Sequence, residues 1–218
     1  MIFAKPERQS FKKDELVIVG APVYGGRIYR GALEKFEELQ GDETPCIVTV
    51  TYGNRHYDDA LLELSDFMKA RGFCPVAAAA LVGEHTFGDI QKGRPFAADK
   101  EEDREFGLRV KAKLEKGDFS APAIPGNRPY KEGGNGGSFR PLTSSDKCIS
   151  CGICKENCPR QAIGDDFKTV DSQKCISCFR CIKNCPTGAK NMNVPAYNEF
   201  AAAFSLKLAE GRKNEYYL

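Results

Sequence analysis

Residues 148–159 read CISCGICKENCP, and residues 175–186 read CISCFRCIKNCP. Each stretch places four cysteines at the spacing C-x2-C-x2-C-x3-C and a proline directly after the last of them. The eight cysteines are Cys148, Cys151, Cys154, Cys158, Cys175, Cys178, Cys181 and Cys185. They lie within 38 of the 218 residues, so the chemistry they carry is confined to one short segment of the chain.

The doubled spacing resembles that of bacterial ferredoxins, which bind two [4Fe–4S] clusters. Three thiolates within one stretch can surround a cubane, because each two-residue gap turns the backbone and points its N–H groups at the sulfides. The resemblance implies that the fourth cysteine of each stretch ligates the other cluster. One cluster then takes Cys148, Cys151, Cys154 and Cys185, and the second takes Cys175, Cys178, Cys181 and Cys158.

Structural zinc and disulfides are the alternatives for a cysteine-rich segment. Zinc sites usually combine two separated Cys or Cys/His pairs around one ion, which three closely spaced cysteines would over-supply. Disulfide frameworks are typical of short secreted chains. This chain is longer, and we expect no signal peptide because its first residues lack an apolar run. Iron–sulfur clusters are therefore the prediction.

Composition limits the partners of the protein. The formal net charge of +2 gives no reason to expect binding to nucleic acid or to a membrane surface. No stretch approaches the roughly 18 consecutive apolar residues of a membrane-spanning helix. Thiolate ligands must stay reduced until a cluster is assembled, which favours a cytoplasmic location. We expect the partner to be a redox protein.

The chain is predicted to contain an α/β domain at residues 1–116, a linker at 117–143, a ferredoxin domain at 144–190 and a C-terminal helix at 191–218. The linker is rich in proline and glycine. It is interpreted either as a mobile spacer or as a loop that lies over the first domain.

Three apolar runs in the first domain predict strands, at residues 16–19, 47–52 and 76–82. Continuous apolarity indicates strands that are buried on both faces of a parallel sheet. Between and after these runs, residues 32–39, 61–68 and 106–114 show helical periodicity. Strands that alternate with helices predict a doubly wound α/β sheet.

Loops at the carboxyl ends of the first two predicted strands lie where parallel sheets bind ligands. Each loop carries an aromatic residue beside glycine, Tyr24 in the first and Tyr57 in the second. Two exposed rings at these positions could stack on the two faces of an isoalloxazine. The alternative is that both tyrosines are half-buried loop residues.

At these residues the domain resembles flavodoxins. Together with the cysteine stretches, the chain resembles EFR-type fusion proteins, in which a flavodoxin-like domain precedes a two-cluster ferredoxin. The resemblance implies FMN, with Tyr24 and Tyr57 at the ring-stacking positions. It also implies contacts around the ring from a set of loop residues, which comprises Gly25, Gly26, Gly53, Asn54 and Arg55.

The flavodoxin-like sheet is incomplete at its N-terminus. A flavodoxin begins with a strand and a loop that binds the FMN phosphate, but here only Ile2, Phe3 and Ala4 form a candidate strand before residue 16. Without that strand and loop, FMN affinity should fall, and the strand at residues 16–19 becomes an exposed edge. We expect a shortened N-terminus, or a homo-oligomer that covers the edge.

The sequence thus predicts an electron-transfer protein with two [4Fe–4S] clusters, coupled to FMN in the first domain. The alternatives are a flavin-free ferredoxin with an α/β docking domain, and a flavin-dependent oxidoreductase that acts on a small molecule. Residues 146–190 carry eight Lys or Arg and five Asp or Glu, a net charge of +3. Positive charge near a cluster raises its reduction potential, although these residues can also be ordinary surface lysines.

Histidines and the two remaining cysteines give weaker indications. His56 and His85 lie on the ligand side of the predicted sheet and are interpreted as polar loop residues. Cys46 and Cys74 stand outside the doubled spacing and are interpreted as buried and inert.

Overall fold

A computed structural model describes residues 8–218 of the protein, and the chain divides into two compact units. The first unit contains the residues up to 85, residues 90–134 and residues 208–218. The second contains residues 86–89 and 135–207. The candidate strand at Ile2, Phe3 and Ala4 lies outside the described residues. No helix in the described part of the chain is long and apolar enough to cross a membrane.

In the described residues, three strands are eight to ten residues long and the others have two or three residues. The strands are β1 Ser10–Phe11, β2 Val17–Tyr24, β3 Arg27–Ile28, β4 Gln40–Gly41, β5 Thr44–Tyr52, β6 Phe73–Val82, β7 Leu142–Thr143, β8 Lys190–Asn191 and β9 Glu215–Tyr217. The helices are α1 Arg30–Phe36, α2 Ala60–Lys69, α3 Ala97–Glu115, α4 Ile153–Glu156, α5 Arg180–Lys183 and α6 Pro195–Lys207.

The first unit is built on a mixed five-stranded sheet with the order β3-β2-β5-β6-β9. Strands β2, β5 and β6 are parallel neighbours, which confirms the three predicted strands and their parallel arrangement. The alanines at 77–80 lie in β6 and are fully buried. On one face, Phe106 and Val110 of α3 pack over Ile47, Ala77 and Ala79.

Strand β2 differs from its prediction in two ways. It continues through residues 20–24, which were expected to be a loop, because Gly20, Ala21 and Pro22 pair in register with Thr49–Thr51 of β5. It is also buried on one face only, since Ile18 is 68% exposed. Within residues 8–218, no strand pairs with its outer side at residues 17–21. The expected open edge is therefore present, and an oligomer that covers it stays a prediction.

Strand β9 was not predicted from the sequence. The predicted helix at residues 191–218 covers only Pro195–Lys207, and after it the chain adds Glu215–Tyr217 to the sheet, antiparallel to β6. Tyr216 packs on Phe106 with a centroid distance of 4.9 Å and donates to Asp103 at 2.8 Å. The strand closes the edge of β6, which would otherwise be open.

The first two thirds of the predicted linker, residues 117–134, belong to the first unit. The backbone N–H groups of Asn127 and Lys131 both donate to the Asp59 carboxylate at 2.8 Å. Arg128 forms a bidentate ion pair with Asp66 at 2.7 and 2.8 Å. Residues 117–134 therefore agree with the interpretation of the linker as a loop that lies over the domain, and not with the interpretation as a mobile spacer.

The second unit repeats a turn and a short helix. Helices α4 and α5 occupy equivalent places in the two cysteine stretches, 27 residues apart. Strands β7 and β8 pair as a small antiparallel sheet. Helix α6 contributes Tyr197 and Phe200 to an aromatic cluster with Phe87, Phe139 and Phe179. This cluster packs directly against the second cysteine stretch, in which Phe179 lies.

Ionisation of the Asp99 carboxyl should make the stability of the first unit depend on pH. The Arg94 guanidinium beside it lowers the pKa of this buried carboxyl below its ordinary value of 3.8. Since the folded pKa lies below the unfolded one, the ionised carboxylate contributes stability that is lost as pH falls through the folded pKa. Below a pH of about 4, the free energy of unfolding should therefore decrease more steeply in the wild type than in Asp99→Asn. Urea unfolding over a pH series measures this slope.

Glu101 on the same helix provides the control for that measurement. Its carboxylate is fully exposed and pairs with Arg104. Solvent screens such a pair, so Glu101→Gln should leave the slope close to that of the wild type. Equal slopes for wild type and Asp99→Asn would contradict the prediction.

Candidate metal centre

The two cysteine stretches share an unusual backbone conformation. Ser150 and Ser177, at equivalent positions, have φ angles of 54° and 57°. Gly152 and Phe179, also equivalent, have φ angles of 76° and 53°. Left-handed residues between helical or extended ones turn successive N–H groups toward one concave side, where they can surround an anion. Both stretches are therefore shaped to present thiols and N–H groups to the same side.

The first set of thiols surrounds a cavity. Cys148, Cys151 and Cys154 of the first stretch line it together with Cys185, the last cysteine of the second stretch. Phe167 and Lys190 line the same cavity. The structure thus brings together the crossed set that the ferredoxin resemblance implies.

The second set is recognised from the electrostatics of its thiols. Burial raises the pKa of the Cys181 thiol to about 12, and the nearby thiols of Cys178, Cys175 and Cys158 act in the same direction. Burial likewise raises the pKa of Cys178, and Cys158 and Cys175 add to the shift. Cys158 is therefore near enough to the thiols of the second stretch to act on their pKa values. A bound metal would reverse this preference for the neutral thiol, because metal ligation requires the thiolate.

Backbone N–H groups are directed at the sulfur atoms of both crossing cysteines. Ala162 N–H donates to Cys158 Sγ at 3.2 Å, and Lys190 N–H donates to Cys185 Sγ at 3.4 Å. Burial raises the pKa of Cys185, but N–H donors and the Thr187 hydroxyl outweigh it, so that the pKa is lowered overall. N–H groups directed at sulfur are also the donors that tune iron–sulfur clusters.

The arrangement of the thiols fits a cluster better than a single ion. Among residues 8–218, no three His, Cys, Asp or Glu side chains converge closely enough to hold one metal ion. Structural zinc requires four ligands at about 2.0–2.3 Å from one centre. A [4Fe–4S] cubane takes one thiolate at each iron, so its ligands stand apart around a cavity. The residues present therefore fit the cubane.

Eight cysteines at a repeated spacing, on a duplicated turn and short helix, are typical of iron–sulfur proteins of the electron-transfer class. Residues 147–189 match the family model of the 4Fe-4S dicluster domain, a segment that includes both cysteine stretches. This match supports [4Fe–4S] binding and iron–sulfur electron transfer. No curated protein matches the chain.

The ring of Tyr57 is buried, so the expectation of an exposed ring is wrong, and a flavin contact at this residue stays a prediction. The residue is 2% exposed. Its hydroxyl donates to Glu215 at 2.8 Å and lies 2.7 Å from the Tyr217 hydroxyl. The imidazole of His56 stacks on the ring at a centroid distance of 4.9 Å. Tyr57 therefore belongs to the packing between this loop and β9.

The other predicted flavin residues of the second loop hold the C-terminal segment. Asn54 is buried, and its amide donates to the carbonyls of Leu208 and Glu210 at 2.9 and 2.8 Å. Its oxygen accepts from Arg212 N–H at 2.7 Å. Arg55 pairs with Asp58. A Cβ on Gly53 would lie 2.3 Å from His85, so this glycine is required by close packing.

The first loop lies under the linker. Tyr24 is half-buried and contacts Tyr29 at a centroid distance of 4.9 Å, while its carbonyl accepts from Gly134 N–H at 2.9 Å. Gly133 is so close that a Cβ on it would lie 2.9 Å from the Gly25 carbonyl oxygen. Gly26 has a φ of 87°, and a Cβ there would overlap the Asp58 side chain. The loop is thus packed by the chain itself.

Cys46 and Cys74 differ in their environments. Cys46 is fully buried, and burial raises the pKa of its thiol to about 12, as expected of an inert cysteine. Cys74 is exposed, so the expectation that both are buried is wrong for Cys74.

Proposed function

We propose that the protein is an electron carrier with two [4Fe–4S] clusters, one on each crossed cysteine set. The observation that carries the proposal is the cavity lined by Cys148, Cys151, Cys154 and Cys185, which joins cysteines from both stretches. When bound, each cluster accepts or donates one electron. A redox protein supplies the electron, and another removes it.

The chain's own residues hold the two sites close to one another and give them different exposure. Because each stretch contributes three cysteines to one set and one to the other, neither site can move without the other. Ile176 beside the second set is 7% exposed, whereas Ile149 at the equivalent place in the first stretch is 66% exposed. Cys151 is exposed as well. In this proposal, the partner docks at the surface formed by Ile149 and Cys151, where the electron has the shorter distance to travel.

The α/β unit serves this carrier without FMN. The support is the packing of the two loops that would hold the ring: Tyr57 is buried under His56, and Asn54 has its hydrogen bonds satisfied by the C-terminal segment. A docking role for this unit agrees with its open edge at β2.

Metal and flavin analysis of anaerobically purified protein tests the proposal. We expect iron and acid-labile sulfide in equal amounts, at the level of two cubanes per chain, and a visible absorption that dithionite bleaches. Acid treatment should release no stoichiometric flavin. Colourless protein without iron would overturn the proposed function, and stoichiometric FMN would overturn its flavin-free part.

A further inference from the structure

Lys190 is a buried cation at the cysteine sites. It is 2% exposed and lies in β8, five residues after Cys185. Its ammonium donates to the Lys168 carbonyl at 3.1 Å. In the part of the chain that the structure describes, no carboxylate forms an ion pair with it.

Burial of an ammonium with one carbonyl partner is unfavourable. A buried charge is normally paired, because moving an ion out of water costs several kcal/mol, and a hydrogen bond to a single neutral acceptor does not offset this cost. Lys190 also acts on the Asp166 carboxyl. The N–H groups of Lys168 and Thr169 lower the pKa of Asp166 most, and the contribution of Lys190 is smaller. The opposite charge that would balance Lys190 must therefore come from elsewhere.

Lys190 lies at the first thiol set. The residue lines the cavity of that set with Cys154 and Cys185, and its own N–H donates to Cys185 Sγ. Burial raises the pKa of the Cys154 thiol, and Lys190 opposes the shift. The positive charge of Lys190 therefore acts on the first thiol set.

We propose that Lys190 is a fixed positive charge at the first cluster site, where it stabilises the reduced form of the cluster and raises its reduction potential. The inference rests on the proposed function. A cubane with four thiolates is an anion, and one electron from the donor protein makes it more negative without any bond forming or breaking. A nearby buried cation stabilises the product of that step more than the reactant, because the low dielectric strengthens the attraction.

Redox titration of Lys190→Met tests the role of the charge. Methionine keeps the length and apolar stem of the side chain and removes the ammonium. At a fixed poise near the wild-type midpoint, we expect about a tenfold lower ratio of reduced to oxidised cluster, which is 59 mV for a one-electron couple. Electron paramagnetic resonance of poised samples gives this ratio, and iron and sulfide analysis confirms that both proteins carry their clusters.

Lys147→Met is the matched control. Lys147 directly precedes Cys148, but its side chain is exposed, so that solvent and salt screen its charge. Its removal should shift the ratio by less than twofold. Lys190→Arg, which keeps the charge, should stay close to the wild type.

The outcomes separate this inference from the proposed function. Wild-type protein without clusters would overturn the function itself. Fully loaded Lys190→Met with the wild-type potential would overturn only the role of Lys190. If Lys190→Met takes up no iron but Lys190→Arg loads and titrates like the wild type, the buried charge is needed for assembly and the inference stands. If neither variant loads, the site requires the shape of lysine and the inference fails.

Discussion

Replacing Cys158 with alanine should remove the cluster whose other three ligands lie in the second stretch, and leave the cluster bound by the first. The reason is that the fourth ligand of each cluster comes from the other stretch. Cys158 raises the pKa of the Cys178 and Cys181 thiols, while Cys185 lines the cavity of the first set. We expect iron and sulfide to fall by about half, since one of two cubanes is lost. Analysis of anaerobically purified variants measures both quantities.

Double variants show which cysteines share a cluster. If the sets are crossed, Cys158→Ala combined with Cys175→Ala should lose no more iron than Cys158→Ala alone, because both changes strike one site. Cys158→Ala combined with Cys148→Ala should lose both clusters. If each cluster instead took its four ligands from one stretch, Cys158→Ala with Cys175→Ala would lose both clusters, and Cys158→Ala with Cys148→Ala would lose only one. The two arrangements therefore give different results.

Cys74→Ala is the control for the loss of a thiol as such. Cys74 is exposed and lies in β6, outside both stretches. Its replacement should leave iron and sulfide unchanged. An equal loss of iron in Cys74→Ala and Cys158→Ala would show that the analysis reports general instability and not a ligand.

The 4Fe-4S segment could be predicted from the sequence because its cysteine spacing is a local pattern. The spacing of four cysteines within eleven residues fixes the turns between them, and the equivalent φ angles at Ser150 and Ser177 follow from that spacing. The parallel order of β2, β5 and β6 was also accessible, since continuous apolar runs and intervening helical periodicity report burial and pairing together.

The packing of the two predicted flavin loops could not be predicted because the segments that cover them are distant in sequence. Tyr57 is buried by contacts with Glu215 and Tyr217, about 160 residues away, and Gly25 is packed by Gly133 from the linker. A loop with glycine and tyrosine at a strand end has the same local pattern whether it meets a ligand or another segment of its own chain. The only indication of β9 is the short run Glu215–Tyr217 with two tyrosines, too brief to distinguish a strand from a loop.

Lys190 was counted in the sequence as one of eight positive charges in residues 146–190, and nothing in its neighbours distinguishes it from a surface lysine. Its burial arises from the pairing of β7 and β8, which brings the residue toward Lys168 and the first thiol set. Charge counts from sequence therefore describe the net field of the segment, and only the fold identifies which charge is buried.

Asn54→Ala should destabilise the first unit, because Asn54 anchors the C-terminal segment by three hydrogen bonds. The substitution leaves the carbonyls of Leu208 and Glu210 and the N–H of Arg212 without their partner. A hydrogen bond lost from a buried group costs about 1–3 kcal/mol. Because Glu210 and Arg212 are exposed, water can replace part of what is lost, and we expect the free energy of unfolding to decrease by about 1–3 kcal/mol. Urea unfolding measures the decrease. Limited proteolysis should also show faster cleavage within residues 208–218, because the segment that leads into β9 loses its attachment.

Two further variants make the interpretation specific. Asn54→Asp keeps the oxygen that accepts from Arg212 but turns a negative oxygen toward the two carbonyls, so it should destabilise at least as much as alanine. Asn198→Ala removes an exposed asparagine from α6 and should change the free energy of unfolding by less than about 0.5 kcal/mol. A flavin ligand at position 54 would behave differently: its loss would release bound flavin and leave the unfolding free energy of flavin-free protein unchanged. Unchanged stability in both Asn54 variants would therefore contradict the anchor and return the loop to its interpretation as a ligand site.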